Sequence, residues 1–149
     1  MNMEEMVKAL YSKNSKEAYN ILLELEKISD ENNNLYNFLS EFFEMLHNDN
    51  MYIRVRGYRL FCKQAKWDKL NEINKVIDNI LLQTVTEEKA IALRQMIKAL
   101  EDIFNNKMEL RKKIKQMLLK IDCLKYQKSM QELIKNDIKI LFKIIENNE

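Results

Sequence analysis

Basic side chains crowd one short stretch of this 149-residue sequence. Arg54, Arg56 and Arg59 lie within six residues, and Lys63, Lys66 and Trp67 follow. At helical spacing Arg56, Arg59, Lys63 and Lys66 form a ridge on one side. Such a ridge beside an aromatic ring could hold an acidic peptide, or the phosphates of nucleic acid. An ordinary solvated helix face would carry the same pattern. Arg54 points elsewhere, into the middle of an apolar arc, where a guanidinium needs a carboxylate or carbonyl partner. Asp49 or an Asp of a neighbouring repeat could serve, so Arg54 reads as structural. Arg94, among Glu87, Lys98 and Glu101, reads the same way. Arg111, Lys112, Lys113 and Lys115 read as a solvated face, Trp67 as an apolar plug under a corner, and Asp68 as a helix cap.

Other chemistry is scarce. His47 is the only histidine and has no Cys nearby, which argues against a metal site. Cys62 and Cys123 sit in apolar patterns, where a thiol behaves as a small hydrophobe. One Gly and no Pro exclude the usual Gly-rich phosphate loops. No Ser/His/Asp set or paired-carboxylate signature appears. Neither an enzyme nor a cofactor is expected, and the nine methionines read as packing.

The same shortage of Gly and Pro argues against β sandwiches and barrels, whose turns depend on both. Hydrophobic residues at 46% and charged residues at 32% fit one folded domain over 1–149. The start lacks a signal-peptide pattern and no window is apolar enough to span a bilayer, so a cytoplasmic chain without a membrane partner is expected. Net charge is +2, but residues 1–50 carry −6 and residues 51–149 carry +8. The split allows an acidic partner, self-association of copies, or solvated faces only.

Apolar periodicity predicts eight helices joined by short Asn-rich segments. They lie near residues 3–11, 16–28, 35–47, 52–66, 70–82, 87–105, 109–121 and 129–145. Ser15 reads as the N-cap of the second. Thr84 with Glu87, and Ser129 with Glu132, have the spacing of capping boxes. The fourth helix is apolar over more than half its circumference and must be covered on two sides. Gly57 lies in that arc, where a close neighbouring helix would explain it.

A pattern recurs at about forty residues. Ile53-Arg54, Gly57 and Phe61 align with Leu93-Arg94, Ile97 and Glu101, then with Ile134-Lys135, Ile138 and Phe142. The two-helix period, the aliphatic-Arg pair and the preceding Asn48-Asp49-Asn50 resemble the HEAT repeat family, of armadillo type. The resemblance implies an all-α right-handed superhelix of four helix pairs whose second helices line a concave side. It implies a non-enzymatic scaffold binding a protein there. The fourth-helix ridge, extended by Lys128, Lys135, Lys139 and Lys143 of the eighth helix, would make that side basic. The alternative is a nucleic-acid binder resembling the HEAT-like alkylpurine DNA glycosylases, with Trp67, Asp68 and Arg94 as the implied residues.

Overall fold

The computed structural model describes residues 1–148, with side-chain surroundings to residue 144. It is all-helical: eight α-helices and four short 3-10 turns, with no strand among the described residues. The chain divides into two compact units, Met1–Trp67 and Asp68–Glu149.

The first unit contains α1 (Met3–Ala9), α2 (Ser15–Glu31), α3 (Leu39–Met45) and α4 (Met51–Lys63). Helix α1 packs on α2, α3 on α4, and α2 on α4. Contacts between α2 and α4 advance together, Glu26 to Arg59 and Asp30 to Lys63, so these helices run parallel. Their core includes Leu10, Leu25, Leu35, Phe42, Met45, Tyr58 and Phe61, all fully buried. Gly57 is the close approach between α3 and α4. A Cβ there would lie 2.4 Å from the Met45 Cβ and 2.8 Å from the Phe42 carbonyl oxygen. No larger residue fits without moving the α3 backbone.

The second unit contains α5 (Glu72–Val85), α6 (Ala90–Asn106), α7 (Arg111–Leu118) and α8 (Lys128–Asn148). Helix α5 packs on α6 and α7 on α8, while α5 meets α7 and α6 meets α8. First helix against first and second against second is the contact pattern of two stacked helix pairs. The core is mostly aliphatic, with Ile73, Ile80, Leu93, Ile97, Leu100, Ile103, Ile114 and Ile134 fully buried alongside Phe104.

Several helix starts differ from the sequence expectation, for local reasons. Asn14, not Ser15, caps α2, its side chain accepting the Glu17 amide at 3.1 Å. Asn2 and Asn50 do the same for α1 and α4, so the Asn-rich joints supply the caps. Thr84 opens no capping box, because α5 runs on to Val85 and its hydroxyl donates back to the Ile80 carbonyl. Glu87 instead accepts the Lys89 amide just ahead of α6. Ser129 lies inside α8, one residue past its first.

Asp68 caps α5 as expected. Its carboxylate accepts the amides of Glu72 and Ile73, both at 2.9 Å. It also receives the Lys107 ammonium at 3.0 Å, with both side chains almost wholly buried. Lys107 donates further to the Asp68 carbonyl and to the Asn71 side chain. Asn71 adopts the left-handed conformation, at φ 57°, that turns the chain into α5. This buried cluster welds the start of α5 to the end of α6.

Candidate functional site: the second helices of each unit

The fourth helix carries the sequence's basic ridge, and the structure breaks that ridge up. Arg56 leaves it altogether. The residue is 5% exposed and donates to the Leu10 carbonyl at 2.7 Å and the Ser12 carbonyl at 3.3 Å. Burial lowers its pKa from the ordinary arginine value. Because α4 is packed nearly all round, the side expected to face water faces the end of α1 instead. The guanidinium ties that end down by carbonyls that have no partner within the helix.

Arg59, Lys63, Lys66 and Trp67 remain together but are committed to α2. Arg59 forks onto Glu26 at 2.7 and 3.1 Å. Lys63 meets the Asp30 carboxylate at 2.9 Å. Lys66 reaches the Asp30 carbonyl at 2.8 Å and sits 5.1 Å above the Trp67 ring. The Trp67 indole N–H donates to the Ser29 carbonyl at 2.7 Å. Trp67, half-buried, is therefore a polar clasp on the end of α2. The physical cause is the C-terminus of α2, which combines two carboxylates, unpaired last-turn carbonyls and the negative end of the helix dipole. The cations of α4 answer it.

This pairing also removes most of the charge asymmetry. Residues 1–67 hold nine basic and ten acidic side chains, and residues 68–149 hold sixteen and thirteen. The acidic first fifty residues and the basic fourth helix belong to one nearly neutral unit.

Arg54 donates to the main-chain carbonyls of Asn48 and Asp49 at 3.1 and 2.9 Å, holding the α3–α4 joint. Asp49 is thus at its side, contributing a carbonyl. Arg94 bridges consecutive helix pairs: its Nε lies 2.7 Å from the Asp137 carboxylate on α8. That hydrogen bond raises the Arg94 pKa. Arg111, expected to be solvated, is buried and donates to the Phe104 carbonyl. Lys113 pairs with Asp78 of α5 at 3.1 Å.

The Arg94–Asp137 pair marks one end of a surface feature that the sequence reading missed. Beyond it α6 and α8 part into an open cleft of about 220 Å³. Ile97, Ile140, Leu141 and Ile144 form its apolar walls, and Lys98 and Glu101 stand along the α6 rim. Ile140 is 60% exposed, so the cleft mouth offers aliphatic surface to an incoming group. The available signal was the i, i+3, i+4, i+7 run of Asp137, Ile140, Leu141 and Ile144, which reads as an ordinary core stripe until the partner helix is known.

The lysines of α8 lie elsewhere. Asp137, Leu141 and Ile144 face α6, so at 100° per residue Lys128, Lys135, Lys139 and Lys143 lie on the opposite side, and all four are exposed. Within this unit they line the face of α8 turned away from α6.

The residues implied by the glycosylase resemblance are likewise occupied. Asp68 is bound by Lys107 and two amides, Arg94 by Asp137, and Trp67 by the end of α2. No cluster of three His, Cys, Asp or Glu suited to a metal exists among the described residues. No described helix is long and apolar enough to cross a membrane. Set against known proteins, the chain matches no family model, no curated protein and no solved structure.

Proposed function

We propose that the chain is a HEAT-like superhelical scaffold, non-enzymatic, that binds a protein segment through the second helices of its C-terminal unit. The observation carrying this reading is the α6–α8 cleft. Its volume, about 220 Å³, falls below the roughly 300–1,000 Å³ of pockets that enclose small-molecule ligands. It suits one or two aliphatic side chains anchored from a peptide or helix, as at the centre of a protein interface. Its one buried carboxylate, Asp137, is held by Arg94, leaving the walls to recognise shape and apolarity. The Lys98 and Glu101 rim would supply polar contacts at the edge. A cytoplasmic setting, in keeping with Cys62 and Cys123 not being joined in a disulfide, belongs to the same proposal.

The nucleic-acid alternative on Arg56, Arg59 and Lys63 loses support, since each of these cations already has a partner within the unit. A displayed peptide library tests the proposal. Panning on the wild type should enrich sequences sharing aliphatic anchors. Their binding should fall at least tenfold on Ile140→Glu, a change at an exposed position that leaves the fold intact. Failure to enrich any family, or equal binding to the variant, would contradict it.

A further inference from the structure

The outer face of α7 and α8 is built differently from every other charged surface described above. Lys128, Lys135, Lys139 and Lys143 line the side of α8 turned away from the cleft, and all are exposed. Lys112 and Lys115 of α7, also exposed, share a helical face with Leu119. The two faces adjoin, because the Lys115 ammonium lies 5.2 Å above the Phe142 ring of α8. Phe142 is only three residues from Lys139 and seven from Lys135, which places it on the lysine side of the helix.

Carboxylates do not match this set as they do elsewhere. Lys113, on the α5 side of α7, has Asp78, and Lys107 has Asp68. On the outer face, Glu132 reaches Lys135 at 3.4 Å. Among the described residues no carboxylate lies within ion-pair distance of Lys112, Lys115, Lys128, Lys139 or Lys143. At the α7–α8 junction the chain also exposes two leucines, Leu119 at 67% and Leu124 at 80%, with Lys120 beside the first.

We propose that this face docks peripherally on an anionic lipid bilayer. The lysines meet headgroup phosphates and carboxylates, while Leu119 and Leu124 dip into the boundary with the acyl chains. Two features favour a bilayer over a nucleic acid. The cations are all lysines, which are flexible point charges, with no arginine fork to grip a phosphate bidentately. On this face no aromatic ring among the described residues is exposed for base stacking: Tyr126 is buried, and Phe142 is half-buried beneath Lys115. Exposed aliphatic side chains set among lysines are instead what an interfacial surface uses. Peripheral docking requires no spanning segment, so the lack of one among the described helices does not bear on it.

Vesicle sedimentation with the full chain tests this. Vesicles of equal parts phosphatidylserine and phosphatidylcholine should bind the protein at low salt, whereas pure phosphatidylcholine should not, and added salt should release it. Each lysine near such a surface contributes about fivefold to the partition coefficient. The triple variant Lys135→Gln, Lys139→Gln, Lys143→Gln should therefore bind about 100-fold more weakly. Leu119→Ser with Leu124→Ser should weaken binding to the same vesicles while leaving its salt dependence unchanged. All five positions are exposed, and unchanged far-ultraviolet dichroism would show that the fold survives. No sedimentation of the wild type with the anionic vesicles would overturn the proposal. So would undiminished binding by the triple variant, or lysine-dependent binding to duplex DNA or RNA with none to vesicles. The cleft lies on the opposite side of α8, so peptide binding there can stand or fall separately.

Discussion

In each unit two second helices run parallel and in contact, yet the two pairs present opposite surfaces. Between α2 and α4 the join is ionic along its C-terminal half: Arg59 to Glu26, Lys63 to Asp30, then Lys66 and Trp67 on the last carbonyls of α2. Between α6 and α8 one ion pair, Arg94 to Asp137, is followed by an aliphatic cleft. Density of cations along the sequence therefore misleads. The five basic residues of 54–66 are engaged by neighbouring segments of the same unit, while the proposed recognition surface lies where charge runs out. What faces a side chain decides its role more than what the side chain is.

The buried polar anchors of the two units differ too, and that gives the largest expected effect. Lys107→Met would leave the Asp68 carboxylate buried without its cation, costing about 3–5 kcal/mol, read from urea unfolding. A loss below 1 kcal/mol would mean that the two amides alone satisfy Asp68. In the first unit the tightest constraint is steric rather than ionic. Gly57→Ala should cost about 2 kcal/mol or more, the overpacking against Met45 and Phe42 outweighing Ala's better helix propensity. A stabilised variant would show that α3 can slide away at no cost.

The ionic join itself should be worth less. A double-mutant cycle on Arg59 and Glu26 should give a coupling of about 1 kcal/mol, since the pair is bidentate but partly exposed. The binding of a cleft-selected peptide should be unaffected by either change. A coupling near zero together with lost peptide binding would reverse the assignment of the two surfaces.

The last effect vanishes at neutral pH and is confined to alkaline pH. Tyr126 is buried in the second unit and its hydroxyl donates to the Glu87 carbonyl. Burial, reinforced by the negative charge of Glu87, pushes its pKa up to about 12. Below pH 10 the phenol is neutral in folded and unfolded chains alike. Between pH 10 and about 12 the unfolded chain sheds a proton that the folded chain keeps, so stability falls as pH rises through that window. Tyr11 in the first unit is shifted upward too, by burial and then by Glu44 and Glu41, but it is half exposed. Tyr126→Phe should flatten most of the decline, as followed by dichroism-monitored unfolding against pH.

Much of the architecture was legible because it is local. All eight helices follow from apolar periodicity, and the closeness required at Gly57 follows from a lone glycine within an apolar arc. Asp68 could be read as a cap because its amide partners lie four and five residues on. Arg56 could not be read correctly, since its partners, Leu10 and Ser12, lie more than forty residues away. The Glu26 partner of Arg59 lies 33 residues away, also beyond any local pattern. The cleft was invisible for the same reason: whether Ile140 and Ile144 are core or surface depends on how far α6 stands from α8. At α2 the cap is Asn14 rather than the adjacent Ser15, two residue types with nearly equal preference for that position.

The central claim is that recognition belongs to the α6–α8 cleft and not to the basic fourth helix. Methyl and side-chain NMR mapping of a selected peptide tests it most directly. The account predicts shifts at Ile97, Leu141 and Ile144, with the Arg59 guanidinium and Trp67 indole signals unmoved. Shifts at Arg59, Lys63 and Trp67 with silent cleft isoleucines would contradict it.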